Sequence, residues 1–313
     1  GRCCSCCLLN YGLQTEVFAK KRHVHGFLVI WFVRTKVEDF YNAATSSSAD
    51  IIYLGETVCS KRRELKPKDW LGLARDIADS GKQVVISTMA LLEAPSEVNV
   101  LRKYCENGDF VVEANDFGAI NLLAEAKTPF VCGHALNVYN AQVLQLLVNQ
   151  GMQRWVMPVE LSRDWLVQLQ QDCQDLNIRD QFEIEVFSHG HLPLAYSARC
   201  FTARSENRAK DDCELCCINH ENGKPLFSQD KKELFTINGI QTMSGYKYNL
   251  LNDVESMRDL VDVVRVSPMG MESLAVVDQF KQSIEQQIKL DLPQERECNG
   301  YWHQIAGLDT VNL

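Results

Sequence analysis

Residues 84–133 read VVISTMALLEAPSEVNVLRKYCENGDFVVEANDFGAINLLAEAKTPFVCG, and their punctuation decides the fold. Three short β-rich runs, Val84–Thr88, Phe110–Glu113 and Phe130–Gly133, alternate with two amphipathic stretches, Glu97–Asn107 and Phe117–Ala126. Strands alternating with helices over short connections predict parallel βαβ units. The same alternation extends in both directions. Phe27–Trp31 and Ile51–Gly55 precede it as strands, with a helix over Trp70–Ser80; Arg154–Met157, Phe182–Phe187 and Val261–Val266 follow as strands, with helices over Ala141–Gln150 and Ser162–Leu176. Eight strands in this order predict an α/β chain with a (β/α)8 TIM-barrel-like core. Gly81, Gly108 and Gly151 fall where helices should end. Ser162 reads as an N-cap.

The alternation breaks after the seventh strand. Residues 188–260 are far more than one βα connection needs, and an excursion of that length usually carries function. It holds four cysteines, the charged stretch Arg204–Asp212, the polar turn Asn219–Pro225 and one more strand-like run, Leu234–Ile240. Residues 1–26 match no helix or strand period and form an atypical leader with Cys3, Cys4, Cys6, Cys7 and the basic run Lys20–His23. The expected organisation is therefore this leader and a single barrel domain over 27–313 that includes the insertion.

Composition narrows the function. The 313 residues carry 32 Lys+Arg against 41 Asp+Glu, a formal charge of −9, which argues against bulk nucleic-acid binding. At 46% hydrophobic and 23% charged the chain is ordinary globular protein. No apolar run approaches the length of a membrane helix, and with no clear signal peptide the expected location is the cytoplasm, without stable membrane insertion. Thirteen cysteines are the anomaly. An odd, crowded set is a poor disulfide framework, and thiolates for a metal are the sharper reading. Cys105, Cys132, Cys173 and Cys298, each isolated, are expected to be small buried hydrophobes.

The chemistry concentrates in 196–217, YSARCFTARSENRAKDDCELCC. Were this stretch helical, Cys216 and Cys217 would share a face with Cys213, and the adjacent pair would diverge by roughly 100°, leaving one of them a non-ligand. Zinc is well served by two C-x2-C knuckles, and only one is present, so the spacing leans toward an iron–sulfur cluster whose irons occupy separate corners. A further thiol must come from the same end of the barrel. Cys59 qualifies, directly after the second strand in the run Gly55–Arg63, where Lys61, Arg62 and Arg63 would offset thiolate charge. His134, His189 and His191 lie near strand ends and could serve acid–base chemistry, and Glu56, Glu113 and Glu160 close strands at the same face. Met269, Met271, Leu274 and Val276–Val277 are expected to be core before interface.

Several stretches resemble the peptidase U32 family. They are EVFSHGHL at 185–192 followed by YSARC at 196–200, ADIIYLGETVCSKRR at 49–63, GHALNVYNA at 133–141, MPVELSRDW at 157–165 and GIQTMSGYKYNL at 239–250. Together they are most similar to the branch acting in oxygen-independent ubiquinone biosynthesis. The resemblance implies a 4Fe–4S cluster held by Cys59, Cys200, Cys213 and Cys217, with Cys216 spare. It also implies a subunit of a hydroxylase that works without O2 on a prenylated quinone precursor. The implied partners are a second U32 protein, as a heterodimer, and a lipid-binding accessory protein. Where much of the family has a cysteine shortly after Gly190, this chain has Pro193; by the same resemblance Cys59 fills that gap. Peptidase chemistry is not expected, because neither HExxH nor GxSxG occurs and thiols committed to a cluster are not nucleophiles. Two rival readings are a U32-type RNA-modifying hydroxylase, which would want a basic groove, and a non-enzymatic module stapled by structural zinc.

Overall fold

A computed structural model describes residues 25–29, 37–62, 65–220, 222–286 and 296–312. The leader's cysteines and its basic run lie outside the described residues. From the amino end the elements are β1 (His25–Val29), α1 (Val37–Thr45), β2 (Ile51–Leu54), α2 (Pro67–Asp79), β3 (Gln83–Ser87) and α3 (Pro95–Cys105). Then come β4 (Val111–Ala114), α4 (Phe117–Glu125), β5 (Phe130–Cys132), α5 (Ala141–Asn149), β6 (Met152–Val156), α6 (Arg163–Asp175) and β7 (Glu183–Tyr196). The chain continues through α7 (Phe201–Ser205), β8 (Lys224–Phe227), β9 (Glu233–Asn238), β10 (Gln241–Asn249) and α8 (Val254–Met257). It closes with β11 (Val263–Val266), α9 (Ser273–Gln286) and β12 (Glu297–Cys298).

Strands β1 to β7 pair in sequence order, all parallel, and β11 is hydrogen-bonded in parallel to both β1 and β7. The result is a mixed α/β fold around a curled parallel sheet with helices on its outside. The described first strand starts two residues before the predicted Phe27, because its register is set by His25 opposite Val263 and Phe27 opposite Ile51. Gly81, Gly108 and Gly151 take φ values of +89°, +75° and +105°, the left-handed stops expected after α2, α3 and α5. The Ser162 side chain accepts from the Trp165 amide at the start of α6, as an N-cap should.

Strand alternation sorts the core into two faces. Ile52, Leu54, Val84, Ile86, Val112 and Trp155 point outward under the helices. Ile51, Tyr53, Val85, Val131, Val156 and Val263 fill the inside of the curl. Cys105, Cys132, Cys173 and Cys298 are all buried, and burial pushes the thiols of Cys105 and Cys298 up to about 12. They are the inert apolar residues expected. In the carboxyl-terminal third, Val277 is in the core, Leu274 and Val276 pack against it, and Met271 is exposed.

The long excursion is a sheet extension. Beyond the parallel part, β7 runs on to Tyr196 and pairs antiparallel with β10, which pairs with β9, which pairs with the edge strand β8. Only β9 of the added hairpins was expected. Gly190 and Pro193 disguise the continuation of β7, and the ladder is irregular where Pro193 faces Met243.

Candidate functional site

The loop after β2 is built to hold Cys59 against the extension. Gly55 at its start has φ +135°, and a Cβ there would lie 2.5 Å from the Ser87 carbonyl oxygen, so the exit from β2 needs glycine. The Glu56 carboxylate accepts from the amides of Val58 (2.7 Å) and Cys59 (3.1 Å), folding the loop back on itself. Arg62, nearly fully buried, donates from Nη2 to Asn238 Oδ1 at 2.7 Å, and Lys61 Nζ donates to the Lys210 carbonyl at 2.9 Å. Burial opposes the Arg62 charge, but Glu56 and then Cys217 outweigh it.

The other cysteines lie where that loop docks. Cys200 caps α7, its sulfur accepting from the Ala203 amide at 3.4 Å. The helical premise for 213–217 fails. Glu214 and Leu215 take φ values of +45° and +52°, which end any α-helix, and a short 3-10 turn then spans Cys216–Asn219. Cys59, Cys200, Cys213, Cys216 and Cys217 are all free and half-buried. The Cys216 thiol is pushed up by burial, then by the charges of Cys217, Cys200 and Cys213; the Cys59 thiol is pushed up by burial first and also feels Cys217. Cys216 thus feels the three other late thiols, and Cys59 feels Cys217. Among the described residues, no group of three or more His, Cys, Asp or Glu side chains is drawn together as a set that could hold a metal ion.

Inside the curl, below this neighbourhood, lies a charged cluster. Arg265 bonds Glu185 through Nε and Glu113 through Nη2 at 2.8 Å, and all three are almost completely buried. Arg265 also stacks on Tyr53, whose hydroxyl donates to Glu185, and Arg154 reaches Tyr53 Oη at 3.2 Å and Glu183 at 2.7 Å. Burial alone would raise the Glu113 carboxyl. Arg265, His134 and the Ser87 hydroxyl outweigh it and hold Glu113 below the usual carboxylate range. Of this cluster the sequence singled out only Glu113. The signal for the rest was a charge at an inward position within otherwise apolar runs, EIEVF at 183–187 and VVRV at 263–266.

Above the charges sits a polar layer. Gln241 Nε2 donates to Tyr196 Oη at 2.8 Å, and Tyr196 Oη is 3.0 Å from His134 Nε2. Burial, then Arg265, lowers the His134 imidazole to about 4, and the ring is neutral at physiological pH. His189 and His191 sit within β7, where burial lowers both, His189 to about 4, and His191 Nδ1 bonds the Ser244 carbonyl. Glu160 is exposed and bonded by the Tyr139 hydroxyl. Thus Cys59, Cys200, Cys213 and Cys217 are brought to one end of the sheet with Glu56, His134 and Tyr196, whereas Glu113 serves the interior ion pairs.

The profile of peptidase family U32 matches residues 36–302, and the chain belongs to that family. Its structure is similar to that of the U32 peptidase Mk0906 at 13% identity, with 80% of this chain and 94% of that one covered and a TM-score of 0.42. Weaker likenesses are to an enolase protein from Sargasso Sea environmental sequencing (9% identity, 53% and 48% covered, TM-score 0.36). The 3-dehydroquinate dehydratase from Aquifex aeolicus is similar at 11% identity, with 53% and 79% covered and a TM-score of 0.34. Among the described residues no helix is long and apolar enough to cross a membrane.

Proposed function

We propose that this U32 chain carries a 4Fe–4S cluster on Cys59, Cys200, Cys213 and Cys217 and is a subunit of an O2-independent hydroxylase of the ubiquinone ring. In this reading it is similar to UbiV. It pairs with a UbiU-like U32 protein as a heterodimer and receives a prenylated quinone precursor from a lipid-binding accessory protein. One observation carries the proposal: the buried Arg62 side chain, three residues from Cys59, bonds Asn238 of the extension and has its charge favoured by Cys217, so the loop of the early thiol lies against the late ones. The donor set suits the group. Thiolates are iron–sulfur ligands, a cube needs them around separate corners, and Arg62 and Lys61 offset the charge such a site accumulates. When bound, the cluster would supply one-electron transfer.

The protein's own contribution is positional. Glu56 fixes the loop that presents Cys59, the α7 cap fixes Cys200, and the left-handed pair Glu214–Leu215 turns Cys216 and Cys217 back toward Cys213. The fold is read as a (β/α)8 TIM-barrel-like core with the Cys-bearing insertion over 188–260, supported by β11 bonding both β1 and β7. Partnership is supported by Leu226, Phe227 and Phe235, exposed on the hairpin β8–β9 whose outer strand is a sheet edge. The cytoplasm remains the proposed compartment. Deleting the gene and measuring quinones after growth without oxygen tests the pathway. Loss of ubiquinone supports it, and a normal level rejects it.

A further inference from the structure

A cleft of about 530 Å³ lies where the sheet extension meets β12, with His191, Lys247, Glu297, Pro225, Phe227 and Met269 among its lining residues. Three of these form a row across the sheet. His191 on β7 and Glu297 on β12 are each directly opposite Lys247 on β10, so the three side chains leave the same face. The hydrogen-bond order fixes what the row offers. His191 Nδ1 lies 2.7 Å from the Ser244 carbonyl, which can only accept, so Nδ1 carries the ring proton. Burial lowers the imidazole, the ring is neutral at physiological pH, and Nε2 is left as an acceptor. Among the described residues this Nε2 has no hydrogen-bond partner, and unlike His134 Nδ1 and His189 Nδ1 it keeps accessible surface. Opposite it, the half-buried Lys247 has no ion pair or hydrogen bond at its ammonium among the described residues.

The surrounding charges select the ligand. Glu233, Glu272 and Glu297 outnumber Lys247 and Arg296 around the cleft, and Arg296 is already 3.5 Å from Glu233. A carboxylate ligand is therefore poorly matched, and it has no proton to give Nε2. A neutral hydroxyl meets both groups: its proton goes to Nε2 and its oxygen accepts from Lys247 Nζ. One oxygen can do so because directly opposite residues have Cβ atoms only about 4.5–5.5 Å apart. Pro225 and Phe227, two residues apart on β8, and Met269 offer apolar contact for a ring. A phenol, titrating near about 10, is also a stronger proton donor than an aliphatic alcohol. We propose that this cleft binds a phenol ring whose hydroxyl is held between His191 Nε2 and Lys247 Nζ. The cleft wall joins the cysteines through two successive turns: the Gly223 amide donates to the His220 carbonyl, and the His220 amide donates to the Cys217 carbonyl. The proposal deepens the proposed function by naming the substrate ring as a phenol. It rests on that function only for the reaction of the bound ring, not for binding itself.

The probes are 2-allylphenol, its methyl ether 2-allylanisole, which keeps the ring and chain without the hydroxyl proton, and benzoate as the anion. Each is titrated by ligand-observed NMR into the full chain, purified without air, with and without bound iron. Wild type is expected to bind the phenol about tenfold or more tightly than the ether or benzoate. Lys247→Met should weaken phenol binding about tenfold and leave the ether unchanged, so that the preference between the two is lost. Lys247→Arg, which keeps a charged donor, should stay within about threefold of wild type. His191→Phe should also remove the preference; if it fails to fold, the two Lys247 variants decide. Equal binding of the ether, tighter binding of benzoate, a preference retained in folded Lys247→Met, or no phenol binding overturns the proposal. Phenol binding by a protein that acquires no iron leaves this site standing and removes the hydroxylase reading instead.

Discussion

Replacing Arg265 by methionine tests the charged interior. The guanidinium is 1% exposed and lies between Glu113 and Glu185, themselves 1% and 0% exposed. The substitution leaves two carboxylates facing each other with no water to solvate them. Removing one partner of a buried ion pair costs about 3–5 kcal/mol, a large part of the roughly 5–15 kcal/mol that holds a typical domain folded. The pH dependence identifies the cause. In wild type the Glu113 carboxyl is held below its unfolded value, so its contribution is present above that value and is lost as pH falls through the folded one. In Arg265→Met the largest charge opposing burial at Glu113 is gone, and burial then raises the Glu113 carboxyl above its unfolded value. The variant then loses stability as pH rises past the unfolded value, by about 1.4 kcal/mol for every tenfold weakening of the buried acid. Urea unfolding followed by circular dichroism at pH 5 and pH 8 should show a gap between wild type and variant that widens at pH 8. The triple variant Arg265→Met, Glu113→Gln, Glu185→Gln should recover much of the loss. A gap below about 1 kcal/mol that is equal at both pH values would refute the reasoning, because the charges would then not be coupled.

Two further outcomes are expected. In Gly133→Ala the new Cβ would sit 1.9 Å from Asn115 Oδ1 and 3.0 Å from the Ala114 carbonyl, so about 1–3 kcal/mol of stability should be lost, read as a lower thermal midpoint. Leu226→Lys with Phe227→Ser changes exposed edge residues, so the melt should move within about 0.5 kcal/mol while co-purification with the proposed U32 partner is lost; retained co-purification would place the interface elsewhere.

The eight parallel strands could be read from sequence because their apolar runs are short and several of the helices between them are bounded by a local signal, Gly81 and Gly108 at the ends of α2 and α3 and the Ser162 cap at the start of α6. The extension was harder. Strand β10 reads QTMSGYKYN, too polar and glycine-interrupted to look like a strand, and its stability comes from pairing with β7 and β9 rather than from its own propensity. The geometry of Cys213–Cys217 was hidden for a related reason. Glu214 and Leu215 are not residue types that announce left-handed backbone, and the surrounding packing imposes it. The cysteines themselves were legible as a spacing, whereas Arg62 as the link between Cys59 and Cys217 emerges only once the loop is folded onto the extension. Charges such as Glu185 and Arg265 pair between the neighbouring strands β7 and β11, 80 residues apart in sequence, beyond the reach of any local pattern.

The most direct test of the central claim is iron and sulfide analysis of protein purified without air, for wild type and for Cys59→Ala, Cys217→Ala and Cys216→Ala. Wild type and Cys216→Ala should be brown with about four iron atoms per chain, while Cys59→Ala and Cys217→Ala should lose the colour and most of the iron. A colourless, iron-free wild type would contradict the account, as would iron retained without Cys59 and lost without Cys216.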